Sequence, residues 1–135
     1  MRRSMALGAW VALVACHQAA PIRIAVADGS TTRALTFLVS TPDSAATIRG
    51  LRIRANDVVD SELQGNEGRL VWSLIPGARS PVTVPASITY GIAPAGFSAS
   101  TAVGLVPGDY SVEVLRDGPS NMSHFTVNNR GQVSQ

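Results

Sequence analysis

From Ile22 onward the chain is written in short runs that alternate apolar and polar side chains, each cut off after a few residues by Gly, Pro, Asn or Asp. A strand turns successive side chains to opposite faces, so a period of two buries one face and wets the other. Ile22, Ile24 and Val26 share a face with Arg23 opposite, and Asp28-Gly29-Ser30 predicts a turn. Leu35, Phe37 and Val39 form the inward set of a second strand, which Thr41-Pro42-Asp43 breaks. Leu51 and Ile53 then face inward with Arg52 and Arg54 outward. Ile48 is out of phase with them, which a bulge at Gly50 reconciles.

The stretch from Asn56 to Gly68 is open to two readings. Asp57 caps a short helical turn, or Val58 to Leu63 pairs with Leu70 to Ile75 across Gly65-Asn66-Glu67-Gly68; the hairpin is the preferred expectation. Leu70, Trp72 and Leu74 alternate as an inward set until Pro76-Gly77 stops them. Val82 to Val84, then Ile88, Tyr90 and Ile92, come next. Beyond the first sixteen residues no segment carries an apolar stripe at helical spacing. About eight short strands with frequent turns predict an all-β fold, a single antiparallel β-sandwich.

The last third carries the most specific pattern. Leu105-Val106-Pro107-Gly108-Asp109-Tyr110, followed by Val112 and Val114, has the form Leu-x-Pro-Gly-x-Tyr-x-Val-x-Val. Pro107-Gly108 makes a turn, and from there the Tyr110 hydroxyl can bond back to the backbone while its ring enters the core. The pattern is similar to the corner between the fifth and sixth strands of fibronectin type III and other immunoglobulin-like sandwiches. That resemblance implies an immunoglobulin-like fold in which Leu105, Pro107, Gly108 and Tyr110 are a structural corner and Trp72 the large core aromatic of an earlier strand. Asp117-Gly118 opens the next turn, and Phe125 with Val127 forms the expected last strand.

The start of the chain is of another kind. Arg2 and Arg3 are the only charges before Arg23, and the apolar run from Met5 to Val14 is far shorter than the roughly 20 residues that span a bilayer. It ends in Leu13-Val14-Ala15-Cys16, which resembles the lipobox of bacterial lipoprotein precursors. The resemblance implies cleavage between Ala15 and Cys16 and acylation of the Cys16 thiol. It also implies attachment to the outer membrane, facing the periplasm, since His17 stands where an Asp would favour inner-membrane retention. The expected organisation is a signal peptide over 1–15, a short lipidated tether over 16–21 and the β-sandwich over 22–135. Cys16 is the sole cysteine, so no disulfide competes for its thiol. The few residues between Cys16 and Ile22 reach less than roughly 20 Å even when extended, which keeps the domain close to the membrane.

All eleven cations are arginine, and two of them lie in the leader, leaving nine against nine acidic side chains. A near-neutral mature chain has no basic footprint for phosphates, and nucleic acid is not an expected partner. With no lysine there is no phosphate-cradling loop of the Walker type, and no cofactor is expected. His17 and His124 are too few for a zinc site, and His124 alternates with Phe125 and so points outward. Asp57, Asp60, Glu62 and Glu67 form an acidic loop, solvated or meeting Ca²⁺. Arg49, Arg52 and Arg54 form a basic strip facing solvent, those acids or lipid phosphates. Ala93 to Ala102 is expected to pack as a crossover around Phe97; exposed, it resembles a docking loop. The expected function is a lipid-anchored, non-catalytic binding or structural module with an unidentified envelope protein as partner. The alternatives are a small metal or ligand carrier using the 57–67 loop and a hydrolase built around His124.

Overall fold

β-Branched and aromatic side chains alternating with Ser, Thr and Arg fit a pleated, half-buried surface, and the chain uses them that way throughout. A computed structural model describes residues 21–56, 68–77, 81–118 and 120–135. Among the described residues there is no helix. The strands are β1 (Arg23–Val26), β2 (Thr36–Ser40), β3 (Thr47–Ile48), β4 (Gly50–Ala55), β5 (Arg69–Pro76), β6 (Val82–Thr83), β7 (Ser87–Thr89), β8 (Phe97–Ala99), β9 (Gly108–Leu115), β10 (Asn121–Val127) and β11 (Val133–Ser134).

They form three antiparallel sheets. A small sheet has the order β1-β2-β7, a large one β11-β10-β9-β4-β5-β8, and β3 pairs with β6 alone. The inner faces of the small and large sheets share one core, so the fold is an all-β sandwich. Ile24, Phe37 and Ile88 enter the core from the small sheet, while Leu51, Ile53, Trp72, Leu74, Tyr110, Val112, Val114, Phe125 and Val127 enter from the large one. Each fully buried Ile, Leu, Val or Phe contributes roughly 1.5–3 kcal/mol of transfer free energy. With one cysteine in the chain, this packing has no disulfide to share the work. A column of rings crosses the interior: Phe37 stands edge-on to Phe125 at 5.6 Å, and Phe125 stacks on Tyr110 at 5.1 Å. Trp72 is fully buried against Tyr90, and its indole N–H has no hydrogen-bond partner.

Four details depart from the alternation. Leu70 is 43% exposed while Val71 is buried, because β5 carries one extra residue where Ile53 pairs with Trp72 but Arg54 pairs with Leu70. That bulge flips the phase of the strand start. At Gly50 there is no bulge. The chain instead changes partners, from β6 at Ile48 to β9 and β5 at Gly50 and Leu51. Gly50 is required for a different reason: a Cβ there would lie 2.5 Å from the Leu74 carbonyl oxygen. The Leu70–Ile75 run takes β4 on one side and β8 on the other, so the expected partner Val58–Leu63 is replaced, and residues 58–63 lie outside those described. Finally, β10 is followed by β11, which pairs with its end through Val127 and Val133.

The side of the sandwich where β1 meets β10 is closed by side chains. Asn121 donates to the Ile22 carbonyl and Ser123 to the Ile24 carbonyl. The Gln135 amide accepts from Val26 N–H at 2.8 Å and donates to the Ile24 carbonyl at 3.3 Å. One primary amide thus serves β1 as a neighbouring backbone unit would.

Candidate functional site

Cys16 and Ala15 lie outside the described residues, as does the acidic loop of Asp57, Asp60, Glu62 and Glu67. The sandwich begins soon after the N-terminal segment. Pro21 is exposed, Ile22 is 2% exposed, and β1 begins at Arg23. The first strand therefore starts seven positions after Cys16, and the Asn121 side chain holds the Ile22 carbonyl at that point.

The corner before β9 is built by local chemistry. Gly108 has φ +150°, a backbone region that residues with a Cβ avoid. Pro107 and Val106 are exposed, and Leu105 packs partly against the core. The Tyr110 hydroxyl accepts from Val106 N–H at 3.0 Å and donates to the Val106 carbonyl at 2.7 Å. The ring itself is buried, 2% exposed. One hydroxyl therefore satisfies both backbone groups of Val106 and ties the loop to the core.

The three arginines do not form one strip. Arg49 sits between β3 and β4 and grips Asp117 of the β9–β10 turn through two bonds, Nε to Oδ1 at 2.5 Å and Nη2 to Oδ2 at 3.1 Å. This pairing holds the Asp117 carboxyl below the usual carboxylate range and raises Arg49. Arg52 and Arg54 lie on the outer face of the large sheet, opposite Glu113 and Ser111 of β9. Arg54 donates to the Gly68 carbonyl at 3.3 Å. The basic side chains are thus engaged by an acid, a neighbouring strand and a loop carbonyl.

His124 is exposed on the same outer face. It borders an open depression of about 400 Å³ whose walls include Asn56, Asp109, Thr126 and Gln135. Asp109 accepts from the Thr126 hydroxyl at 2.9 Å, and Ser111 donates to Asn56 Oδ1 at 3.4 Å. Neither acid nor hydroxyl is hydrogen-bonded to the imidazole, so no nucleophile, base and orienting acid stand in line among the described residues. Among the described residues no three His, Cys, Asp or Glu side chains are grouped to hold a metal ion.

The 93–102 segment packs against the sandwich. Phe97 is a core residue, and β8 runs along β5 with Phe97 opposite Pro76 and Ala99 opposite Leu74. The chain then stays beside β5, with Ser100 N–H donating to Ser73 and Val103 N–H to Val71. The Tyr90 hydroxyl locks this arrangement by donating to the Val103 carbonyl at 2.5 Å. The roles of Tyr90, Asn121, Ser123 and Gln135 have no short sequence signature, since each reaches backbone far away along the chain. No protein-family model matches this sequence, and neither curated proteins nor solved structures give a match.

Proposed function

We propose that the chain is a lipoprotein of the bacterial cell envelope whose β-sandwich acts close to the membrane as a binding or structural module, without catalysis. The observation that carries this is Leu13-Val14-Ala15-Cys16 closing a short apolar run behind Arg2-Arg3, with Cys16 the chain's only thiol. In this proposal residues 1–15 are removed, Cys16 is acylated, residues 16–21 form the tether, and 22–135 face the periplasm from the outer membrane beside an envelope protein partner. Two or three acyl chains hold firmly, because each buried methylene contributes about 0.8 kcal/mol and a single chain binds only marginally. The early start of β1 supports a tether too short to cross the periplasm.

The sandwich is of the fibronectin type III kind in this proposal. Two features support that: β1-β2-β7 faces a sheet containing β10-β9-β4-β5, and the Tyr110 hydroxyl bonds Val106 at the corner. A non-catalytic role is supported by the exposed His124, which stands apart from the nearby hydroxyls and Asp109.

The test is expression of the full chain in a bacterial host with and without globomycin, beside Cys16→Ser, with mass spectrometry and membrane fractionation as readouts. The wild type is expected in the membrane fraction, beginning at an acylated Cys16. Globomycin should leave the signal peptide attached, and Cys16→Ser should carry no lipid. A mature wild-type protein that begins after Cys16, or that carries a bare thiol in the soluble fraction, overturns the proposal.

A further inference from the structure

Residues 80 to 108 contain no charged side chain and no histidine, although charges are spread over the rest of the mature chain. This uncharged stretch supplies β6, β7 and β8 and so forms one side of the sandwich. Three of its large apolar side chains are solvent-exposed: Ile92, Val103 and Val106.

At that side lies the end strand of the large sheet. Gly77 N–H donates to Gly96 and Ser100 N–H to Ser73, which makes 96, 98 and 100 the residues that turn their backbone groups toward β5. By the alternation of an antiparallel ladder, Ala99 turns its N–H and C=O the other way, off the sheet. Among the described residues no strand lies beyond β8. The other edges are managed. β11 has two residues and is tied to the β1–β2 turn by Val133 N–H to the Ser30 carbonyl. β1 is served by Asn121, Ser123 and Gln135. β7 has three residues, held between Pro85 and Gly91. Proteins that keep an edge single protect it with charge, proline or shortness, and β8 with its continuation toward Val103 carries neither a charge nor a proline.

We infer that the β8 edge is a self-association surface, where two copies of this chain join their large sheets by antiparallel pairing about a two-fold axis at Ala99. Charge selects the occupant. A strand bearing Asp, Glu, Lys or Arg would lose hydration against this side and find no countercharge, whereas a second copy brings the same neutral surface. Geometry agrees with symmetry. An isologous antiparallel pair needs a central residue with both backbone groups available and little side-chain bulk, and Ala99 between Ser98 and Ser100 meets both conditions. Ala99 then exchanges both bonds with its own counterpart, and Phe97 of one copy lies opposite Thr101 of the other. The inference is independent of lipidation.

The experiment uses the full chain purified in mild detergent, with molar mass tracked by light scattering and sedimentation across a concentration series. Wild type is expected to pass from monomer to dimer as concentration rises, with slower exchange of the Ala99 amide in the dimer. Ala99→Pro removes an N–H that serves no bond within the monomer, and should weaken association by about tenfold or more, the factor equivalent to 1.4 kcal/mol. Ala99→Lys places like charges opposite each other across the axis and should do the same if the proline variant folds poorly. A wild type that stays monomeric throughout, or a folded Ala99→Lys that dimerises as well as wild type, overturns the inference.

Discussion

Tyr90 links three parts of the structure with one ring. It lies 5.2 Å from Trp72, donates to the Val103 carbonyl, and sits where the chain leaves β7 to wrap around β5. Burial, and to a lesser degree the nearby Tyr110, push its phenol from 10.0 up to about 12. The consequence for stability has a definite sign. Between the unfolded and folded values the unfolded chain has lost its proton and the native chain has kept it, so stability falls as pH rises from about 10 to about 12. Below 10 the contribution is fully present. Thermal melts across this range should show a steepening loss for wild type that is smaller in Tyr90→Phe. Equal alkaline loss in the two proteins would remove Tyr90 as the cause. At this scale the sequence was legible where chemistry is local. Tyr110 lies four residues from Val106, and a turn motif announces it, whereas Tyr90 and Val103 are brought together only by the fold.

Strands were legible as alternations, but their partners and their irregularities were not. The inward sets on β1, β2 and β4 derive directly from period two, as burial of Ile24, Phe37, Leu51 and Ile53 shows. On β5 the same pattern misplaces Leu70, since one extra residue in a ladder leaves no mark in composition. Edge closure is equally silent in sequence. Gln135 completes β1 with a side-chain amide, and Val26 N–H has its bond from that amide alone. Gln135→Ala should therefore raise the exchange rate of the Val26 amide while leaving that of Val39, bonded to the Ala86 carbonyl, unchanged. The loss in global stability should stay below about 1 kcal/mol, because the freed groups at this edge reach water. Unchanged Val26 protection would show that β1 is held without Gln135.

Two sheets become one domain only if something joins their inner faces, and the ring column does so. Phe37 comes from the small sheet, Phe125 and Tyr110 from the large one, and the Tyr110 hydroxyl extends the column to the backbone of Val106. The fold class was readable because every member occupies an inward position of an alternating run. That Phe37 meets Phe125 was not, since nothing local relates residues so distant in the chain. Phe37 is fully buried, so Phe37→Ala both forfeits transfer free energy and opens a cavity between the sheets, at a cost of about 3–5 kcal/mol. Against a domain stability of roughly 5–15 kcal/mol that is a large share. Trp72 is the only tryptophan outside the leader and reports on the large sheet, while far-UV circular dichroism reports on both sheets. In urea the two signals should shift together to lower midpoints in Phe37→Ala, because losing the joint destabilises both sheets at once. If the signals separate, with Trp72 unfolding where it does in wild type, the large sheet stands without the small one and the ring column is not what makes the sandwich a single unit.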